Sequence, residues 1–344
     1  MKRVMFVTNS LTGGGAERSM NLVSNELTSR GWPVSLVPIN ASPADQITPV
    51  SEVFPLERKW RGSFTNTIGS LWRFNKVVNL WKPDVIVLNC DLPELFGVFL
   101  FSNKKLVAVE HINHPWVTRQ RFGRFVRRAL KIRKITWVAV SSHLTIWPDH
   151  ATPSTVFLNA IVSETNSVSP NSEPPAVTQN LKRLVFIGRL TEQKRPDWLL
   201  QISSQTQVPV EVIGDGAMIN ELTKTAIRDN LNVTFRGQVV NPWSSLKEGD
   251  LLIVPSSYEG DGLVVIEALH YRFPMLLADI PDFRRFGFPE SNYCLAISDF
   301  VRKIEASRNN LCELLVPEEL SQSLLKSRSI RMVGDSWVEF LDRF

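Results

Sequence analysis

The chain has 344 residues, more than one ordinary domain needs and enough for two. At 43% hydrophobic and 21% charged it can bury real cores, which excludes a disordered tail, and three scattered cysteines exclude a disulfide framework and fit a reducing compartment. The net charge of +5 is uneven: residues 1–170 hold 20 Lys and Arg against 11 Asp and Glu, net +9, whereas residues 171–344 hold 19 against 23, net −4. A basic first half is expected to face a polyanion or an anionic membrane.

Met1-Lys2-Arg3 leads into Val4-Met5-Phe6-Val7, which reads as a strand and lacks the longer apolar core of a secretory signal. The predicted strand of residues 2–9 runs into Thr12-Gly13-Gly14-Gly15-Ala16-Glu17-Arg18 and then a helix. Glycines there let the backbone approach an anion, and the helix N-terminus adds N–H donors. A tight strand-to-helix turn uses the same residues, and the loop is neither a P-loop nor a GxGxxG fingerprint. Strands are predicted next over 34–39, 84–89, 105–110 and 136–141, continuous aliphatic runs suited to parallel sheets buried on both faces. The longest apolar stretch, residues 95–101, falls far short of the roughly 18–20 residues of a spanning helix.

His111 follows a strand in Glu110-His111-Ile112-Asn113-His114-Pro115. A lone His is more often structural, but a place at the carboxyl edge of a sheet makes His111 a candidate site residue. No second ligand cluster accompanies it, so no metal is expected. Residues 119–134 carry eight cations and no acid. Phe122, Phe125, Val126, Ala129 and Leu130 fall on a helical stripe, with Arg121, Arg124, Arg127, Arg128 and Lys131 around it. That pattern suits a helix lying on an anionic membrane surface, and equally a core-packed helix with a solvated basic face. No nucleic-acid motif is present, so nucleic acid is not expected as a partner.

Residues 163–179, rich in Ser, Pro and Asn, read as a linker. The expected domains are therefore 1–170 and 171–325, with a helical segment 326–344 packing back on the first; within it Trp337, Phe340, Leu341 and Phe344 fall on helical spacing. Strands over 184–188, 210–214, 233–237 and 251–255 alternate with amphipathic stretches. The fold class is α/β, two doubly wound Rossmann-like domains.

In the second half, Gly188-Arg189 and Lys194-Arg195 follow a buried strand, where Arg189 as a fork and Lys194 as a point charge suit a diphosphate. Gly214-Asp215-Gly216 and the run from Phe235 to Val239 fit a backbone-lined slot for a planar base, and fit ordinary loops as well. The strongest constellation runs from Val254 to Leu269. Glu259 lies in a Gly-flanked loop, a helix starts near Gly262, and Glu267 falls in its second turn. Between the carboxylates, the N-terminus at Gly262, Leu263 and Val264 is suited to phosphate, which leaves Glu259 for sugar hydroxyls and Glu267 for a ribose. Paired carboxylates also occur in glycoside hydrolases, but no hydrolase scaffold is otherwise suggested.

These motifs, in this order over nearly the whole chain, resemble the retaining glycosyltransferases of family 4, with the GT-B architecture of two Rossmann-like domains facing across a cleft. Gly14 and Gly15 resemble the family's N-terminal Gly-Gly loop, Arg189 and Lys194 its phosphate-binding pair, and Glu259 with Glu267 its Glu-x7-Glu motif. Asp261 stands where the family has Phe, and Arg195 where it has a small residue, so the donor pocket departs from the pattern. The resemblance implies a nucleotide-sugar donor, UDP by family frequency, front-face displacement without a metal cofactor, and His111 beside the transferred sugar. It implies a lipid-linked glycan acceptor in bacterial O-antigen, capsule or lipopolysaccharide synthesis, and a cytoplasmic protein peripheral to the inner face of the membrane. A nucleotide-sugar epimerase and a non-catalytic nucleotide-binding module share the architecture.

Overall fold

Aliphatic runs too short for helices, many of them closed by Gly, Asn or Pro, become strands, and the amphipathic stretches between them become crossover helices. A computed structural model describes residues 1–11, 14–41, 49–59, 64–113, 115–161 and 180–344. Two units form, Met1–Val162 with Ser327–Phe344 and Ser163–Lys326. The expected boundary at 170/171 lies outside the described residues, as does His114.

In chain order the first unit runs β1 (Val4–Thr8), α1 (Gly15–Ser29), β2 (Val34–Pro38), β3 (Glu52–Val53), α2 (Phe64–Trp81), β4 (Val85–Asn89), α3 (Asp91–Val98), β5 (Lys105–Glu110), α4 (Gln120–Ile132), β6 (Thr136–Ala139) and β7 (Thr155–Val156). The seven strands are all parallel in the order β3-β2-β1-β4-β5-β6-β7. Alternate residues of β1 serve opposite cores. Val4 and Phe6 meet α1 on one face, while Met5 and Val7 meet α2, α3 and α4 on the other.

The second unit runs β8 (Arg183–Ile187), α5 (Asp197–Thr206), β9 (Val210–Ile213), α6 (Ile219–Arg228), β10 (Val233–Gly237), β11 (Asp250–Val254), α7 (Leu263–His270), β12 (Met275–Ala278), α8 (Pro281–Arg284), β13 (Tyr293–Cys294), α9 (Ile297–Ala306) and α10 (Glu318–Ser327). Its six strands are parallel in the order β10-β9-β8-β11-β12-β13. The chain then returns to the first unit as α11 (Ile330–Asp342), which packs on α1 and sinks Trp337 between Phe6 and Phe157.

Four strands escape the sequence reading. β3, β7 and β13 have two residues each and therefore no periodicity, and the apolar β12 follows so closely on the apolar α7 that the two merge into one run. In both sheets the strand order reverses beside the first strand, between β1 and β4 and between β8 and β11. Connections diverge there to opposite faces and leave a crevice at the carboxyl ends of the strands, where ligands of open α/β sheets bind. Every loop with expected chemistry lies on such an edge.

Candidate active site

In the second unit the loop after β8 is locked to the loop after β11. Gln193 supplies its carbonyl to the Ser257 N–H (2.8 Å), and its side chain donates to the Tyr258 carbonyl (3.0 Å). One residue on, Lys194 Nζ donates to Glu259 Oε1 at 2.5 Å. Glu259 is 6% exposed, so this ion pair lies in a nearly buried setting. Arg189, on the same loop, is exposed. Arg195 takes a left-handed turn, φ +46°, which sends its guanidinium over the Trp198 ring at 4.7 Å. The extra cation at this departure from the family pattern is thus stacked on α5.

The other departure, Asp261, is also buried, and Arg285 Nη2 donates to its Oδ1 (2.9 Å) and its carbonyl (2.8 Å). Asp282 Oδ2 accepts from the Glu259 N–H at 2.9 Å. The segment after β12 thus grips the Glu259 loop from behind, on both sides of Gly260. Gly262 ends the loop at φ +64°, which a residue with a Cβ adopts at a cost, and opens α7 with the amides of Leu263 and Val264 in its first turn.

Gly214 has φ +139°, and a Cβ there would run into the Gly188 carbonyl oxygen; a side chain on Gly216 would meet the Leu190 backbone. Leu190 N–H donates to the Asp215 carbonyl (2.9 Å) and Gly214 N–H to that of Gly237 (2.8 Å), so these loops form one ledge. Val239 lies just past Gly237, half-buried. Glu267 sits in the second turn of α7 as expected, and its Oε2 accepts from the indole N–H of Trp243 at 3.0 Å. Trp243 in turn stacks on Tyr271, ring centroids 5.2 Å apart.

In the first unit the crevice between β1 and β4 holds a second cluster. Asn89, ending β4, donates to Thr8 Oγ1 (3.3 Å) and to the Ala16 carbonyl (3.2 Å) in the first turn of α1. Those donated bonds assign Oδ1 to the side facing His111, which lies 2.5 Å from it. His111 therefore carries its proton on Nε2 and offers Nδ1 as an acceptor. Burial pushes its pKa down to about 4, so the ring is neutral near pH 7. Gly14 caps α1 and Gly15 begins it, with the Glu17 carboxylate folded over Gly14. Thr12 and Gly13 lie outside the described residues.

Asn89, Gln193, Trp243, Asp282 and Arg285 are missing from the sequence reading. A strand end beside the first strand of the sheet would have marked Asn89, and adjacency to Lys194 would have marked Gln193. Trp243, Asp282 and Arg285 are joined to Glu267, Glu259 and Asp261 only by folding.

Arg127 is a correction. It was expected on a membrane-facing surface, and it is 3% exposed. Its guanidinium holds Glu94 (Nη2 to Oε1, 2.5 Å) and Glu110 (Nη1 to Oε2, 2.5 Å), donates to the Trp147 carbonyl (2.8 Å) and lies over the Trp137 ring at 4.7 Å. The buried side of α4 is Gly123, Val126, Arg127 and Leu130, so the expected apolar stripe is rotated and Phe122 and Phe125 point outward. Arg121, Arg124, Arg128 and Lys131 remain exposed, Lys131 paired with Asp149.

Residues 181–310 match the family described as glycosyl transferases group 1. Over 298 residues the chain is 22% identical to the poly(ribitol-phosphate) alpha-N-acetylglucosaminyltransferase of Staphylococcus aureus, covering 79% of this chain and 58% of that relative's length. Over 286 residues it is 24% identical to a Campylobacter jejuni alpha-1,4-N-acetyl-D-galactosaminyltransferase named for a diNAcBac-PP-undecaprenol substrate, covering 79% of this chain and 77% of the relative. The crystal structure of Anabaena Alr3699/HepE with UDP and glucose superposes with a TM-score of 0.75 at 15% identity, covering all of both chains. The fold is thus the GT-B fold, two parallel-sheet Rossmann-like halves, as the resemblance implied.

Proposed function

We propose that the chain is a retaining, metal-independent glycosyltransferase of family 4. It moves a hexose-type sugar from a nucleotide-diphosphate donor, UDP first among candidates, to a lipid-linked glycan in bacterial O-antigen, capsule or lipopolysaccharide synthesis. The observation that carries this reading is the Lys194–Glu259 pair joining two loops at the switch point of the second sheet, with Arg189 exposed beside it and the N-terminus of α7 following. The names of the S. aureus and C. jejuni relatives, one a transferase to poly(ribitol-phosphate) and the other to a PP-undecaprenol-linked glycan, support the substrate class, and the UDP in the Anabaena structure supports the nucleotide.

The chemistry follows from charge. As the bond from the anomeric carbon to the donor oxygen breaks, negative charge builds on the leaving diphosphate. Arg189, Lys194 and the first-turn amides of α7 are cationic or dipolar groups set to stabilise it without rearranging. Glu259 loses part of its pairing when Lys194 turns to phosphate, and its free oxygen then accepts from sugar hydroxyls. Glu267, steadied by Trp243, takes a ribose hydroxyl. Front-face displacement lets a leaving phosphate oxygen take the acceptor's proton while the new bond forms on the same face. In the first unit, neutral His111 offers Nδ1 to a sugar hydroxyl. The chain acts at the cytoplasmic face of an anionic membrane, held peripherally through α4 by Arg121, Arg124, Arg128 and Lys131.

The test is a panel of UDP- and GDP-sugars scored by thermal shift, since ligand at 100 times its Kd stabilises by about 2.7 kcal/mol. The best donor is then assayed with a polyprenyl-diphosphate-linked glycan, with and without EDTA. Transfer that survives EDTA, with the anomeric configuration kept, is expected. Isomerisation of donor without acceptor, or activity lost to EDTA and restored by Mg²⁺, would overturn the reading.

A further inference from the structure

α2, α3 and α4 cover one face of the first sheet and bury Phe74, Phe96, Val126 and Leu130 in a shared core. Their opposite sides are unusually apolar for a surface. Trp72 is 65% exposed, Phe101 84%, Phe125 60% and Ile132 83%. Scattered exposed apolar residues need no explanation, but these are tied together. Asn75 of α2 donates to the Phe99 carbonyl (3.0 Å) and accepts from the Phe101 N–H (2.8 Å). From the other side Arg133, just past α4, donates to the carbonyls of Leu100 and Ser102, both at 2.6 Å. The turn carrying Phe101 is thus clamped between the helix bearing Trp72 and the end of the helix bearing Phe125 and Ile132.

The elements of this face are strongly basic, with the exposed Asp149 paired to Lys131. Residues 64–134 hold 13 Lys and Arg against four Asp and Glu. Glu94 and Glu110 are buried on Arg127, Asp91 accepts from the Trp116 backbone, and only Asp84, at the far end of β4, is exposed. A second copy of this chain would bring cation against cation. An anionic bilayer neutralises the cations and takes aromatic and aliphatic side chains into its headgroup boundary.

We propose that the outer layer of α2, the Phe99–Phe101 turn and α4 together forms a docking face for an anionic lipid bilayer, with apolar insertion shared across three elements. The inference rests on the peripheral-membrane reading above and widens it from one basic helix to a platform.

The full chain is sedimented with vesicles of phosphatidylglycerol and phosphatidylethanolamine. Two variants are compared: Trp72→Gln with Phe101→Gln and Ile132→Gln, and Arg121→Gln with Arg124→Gln, Arg128→Gln and Lys131→Gln. All seven side chains are exposed, so unfolding transitions should match wild type. The apolar variant should lose roughly tenfold or more in partitioning at low and high salt alike. Loss in the charge variant should be confined to low salt. If wild type and the charge variant differ but the apolar variant binds like wild type, α4 alone is the anchor and this inference falls while the membrane reading stands. If wild type ignores the vesicles at low salt, the membrane reading itself fails. If wild type is dimeric without lipid and the apolar variant monomeric, the face is a self-association surface and the proposal is overturned.

Discussion

Arg189 and Lys194 share a loop and a proposed role, yet their surroundings give them different consequences on removal. Either Arg189→Ala or Lys194→Ala should lower kcat/KM by roughly 10²–10³-fold, the scale for losing one preorganised electrostatic group. Arg189 is exposed, so its variant should melt like wild type. Removing Lys194 strips the nearly buried Glu259 of its cation, and that variant should also lose about 1–3 kcal/mol in denaturant titration. Wild-type turnover in both would remove the loop from the mechanism. His111 makes a separate statement in pH. Its folded pKa of about 4 lies below the ordinary 6.5, so between those values the unfolded chain binds a proton that the folded one refuses. Its contribution is therefore present above pH 6.5 and lost as pH falls toward 4. Urea titrations of wild type and His111→Gln should converge on acidification, and parallel curves would show that His111 is not held neutral. Glu259, Lys194 and Arg189 were legible because their motif spacing is local. Asp282, Arg285 and Trp243 were not, because what matters is the oxygen they reach.

At the scale of elements, α4 shows how a helical wheel misleads. Arg127 follows Gly123 by four residues and precedes Leu130 by three, so it lies on the buried stripe by spacing alone. Charge argued the other way, and only Glu94 and Glu110, from α3 and the end of β5, make its burial tolerable. Gly123 belongs to the same arrangement, since a Cβ there would collide with the Trp116 ring, whose N–H donates to Glu94 at 2.9 Å. Breaking such a pair by removing one partner costs about 3–5 kcal/mol, which is the destabilisation expected for Arg127→Gln at about pH 8. Arg128→Gln, on the exposed side, should stay within about 0.5 kcal/mol. Burial pushes Glu110 up to about 7 against the pull of Arg127, so its contribution is full below the ordinary 4.5 and fades as pH rises through 7. The penalty in Arg127→Gln should accordingly shrink at about pH 5, where the stranded carboxyls take protons. Equal unfolding midpoints for Arg127→Gln and Arg128→Gln would contradict the buried triad.

For the whole molecule, the return of the chain to the first unit is the main topological event. α11 adds Val333, Trp337, Phe340 and Leu341 to the core that α1 shares with β1, so the first sheet is covered on that face by the two ends of the chain. Trp337 is fully buried, stacked on Phe157 at 4.3 Å and edge-on to Phe6 at 5.8 Å. Trp337→Ala should therefore cost about 3–5 kcal/mol. The loss should appear in hydrogen exchange of β1 and α1, with β8 and β11 protected as before. Uniform loss in both units would mean that they do not open separately.

Sequence alone determined the α/β class, nine of the thirteen strands among the described residues and the loops proposed to carry chemistry, because buried parallel strands and Gly-rich loops are written within a few consecutive residues. It also determined that the first half is basic, which is a property of composition. Tertiary structure decided which of those cations are surface and which are core, since burial of Arg127 depends on carboxylates 17 and 33 residues away. It decided too that Asp261 is held by Arg285, 24 residues on, and that Trp72, Phe101 and Ile132 stay exposed. Partners so far apart in the chain meet only when crossover helices settle on a sheet, and no local pattern records the meeting.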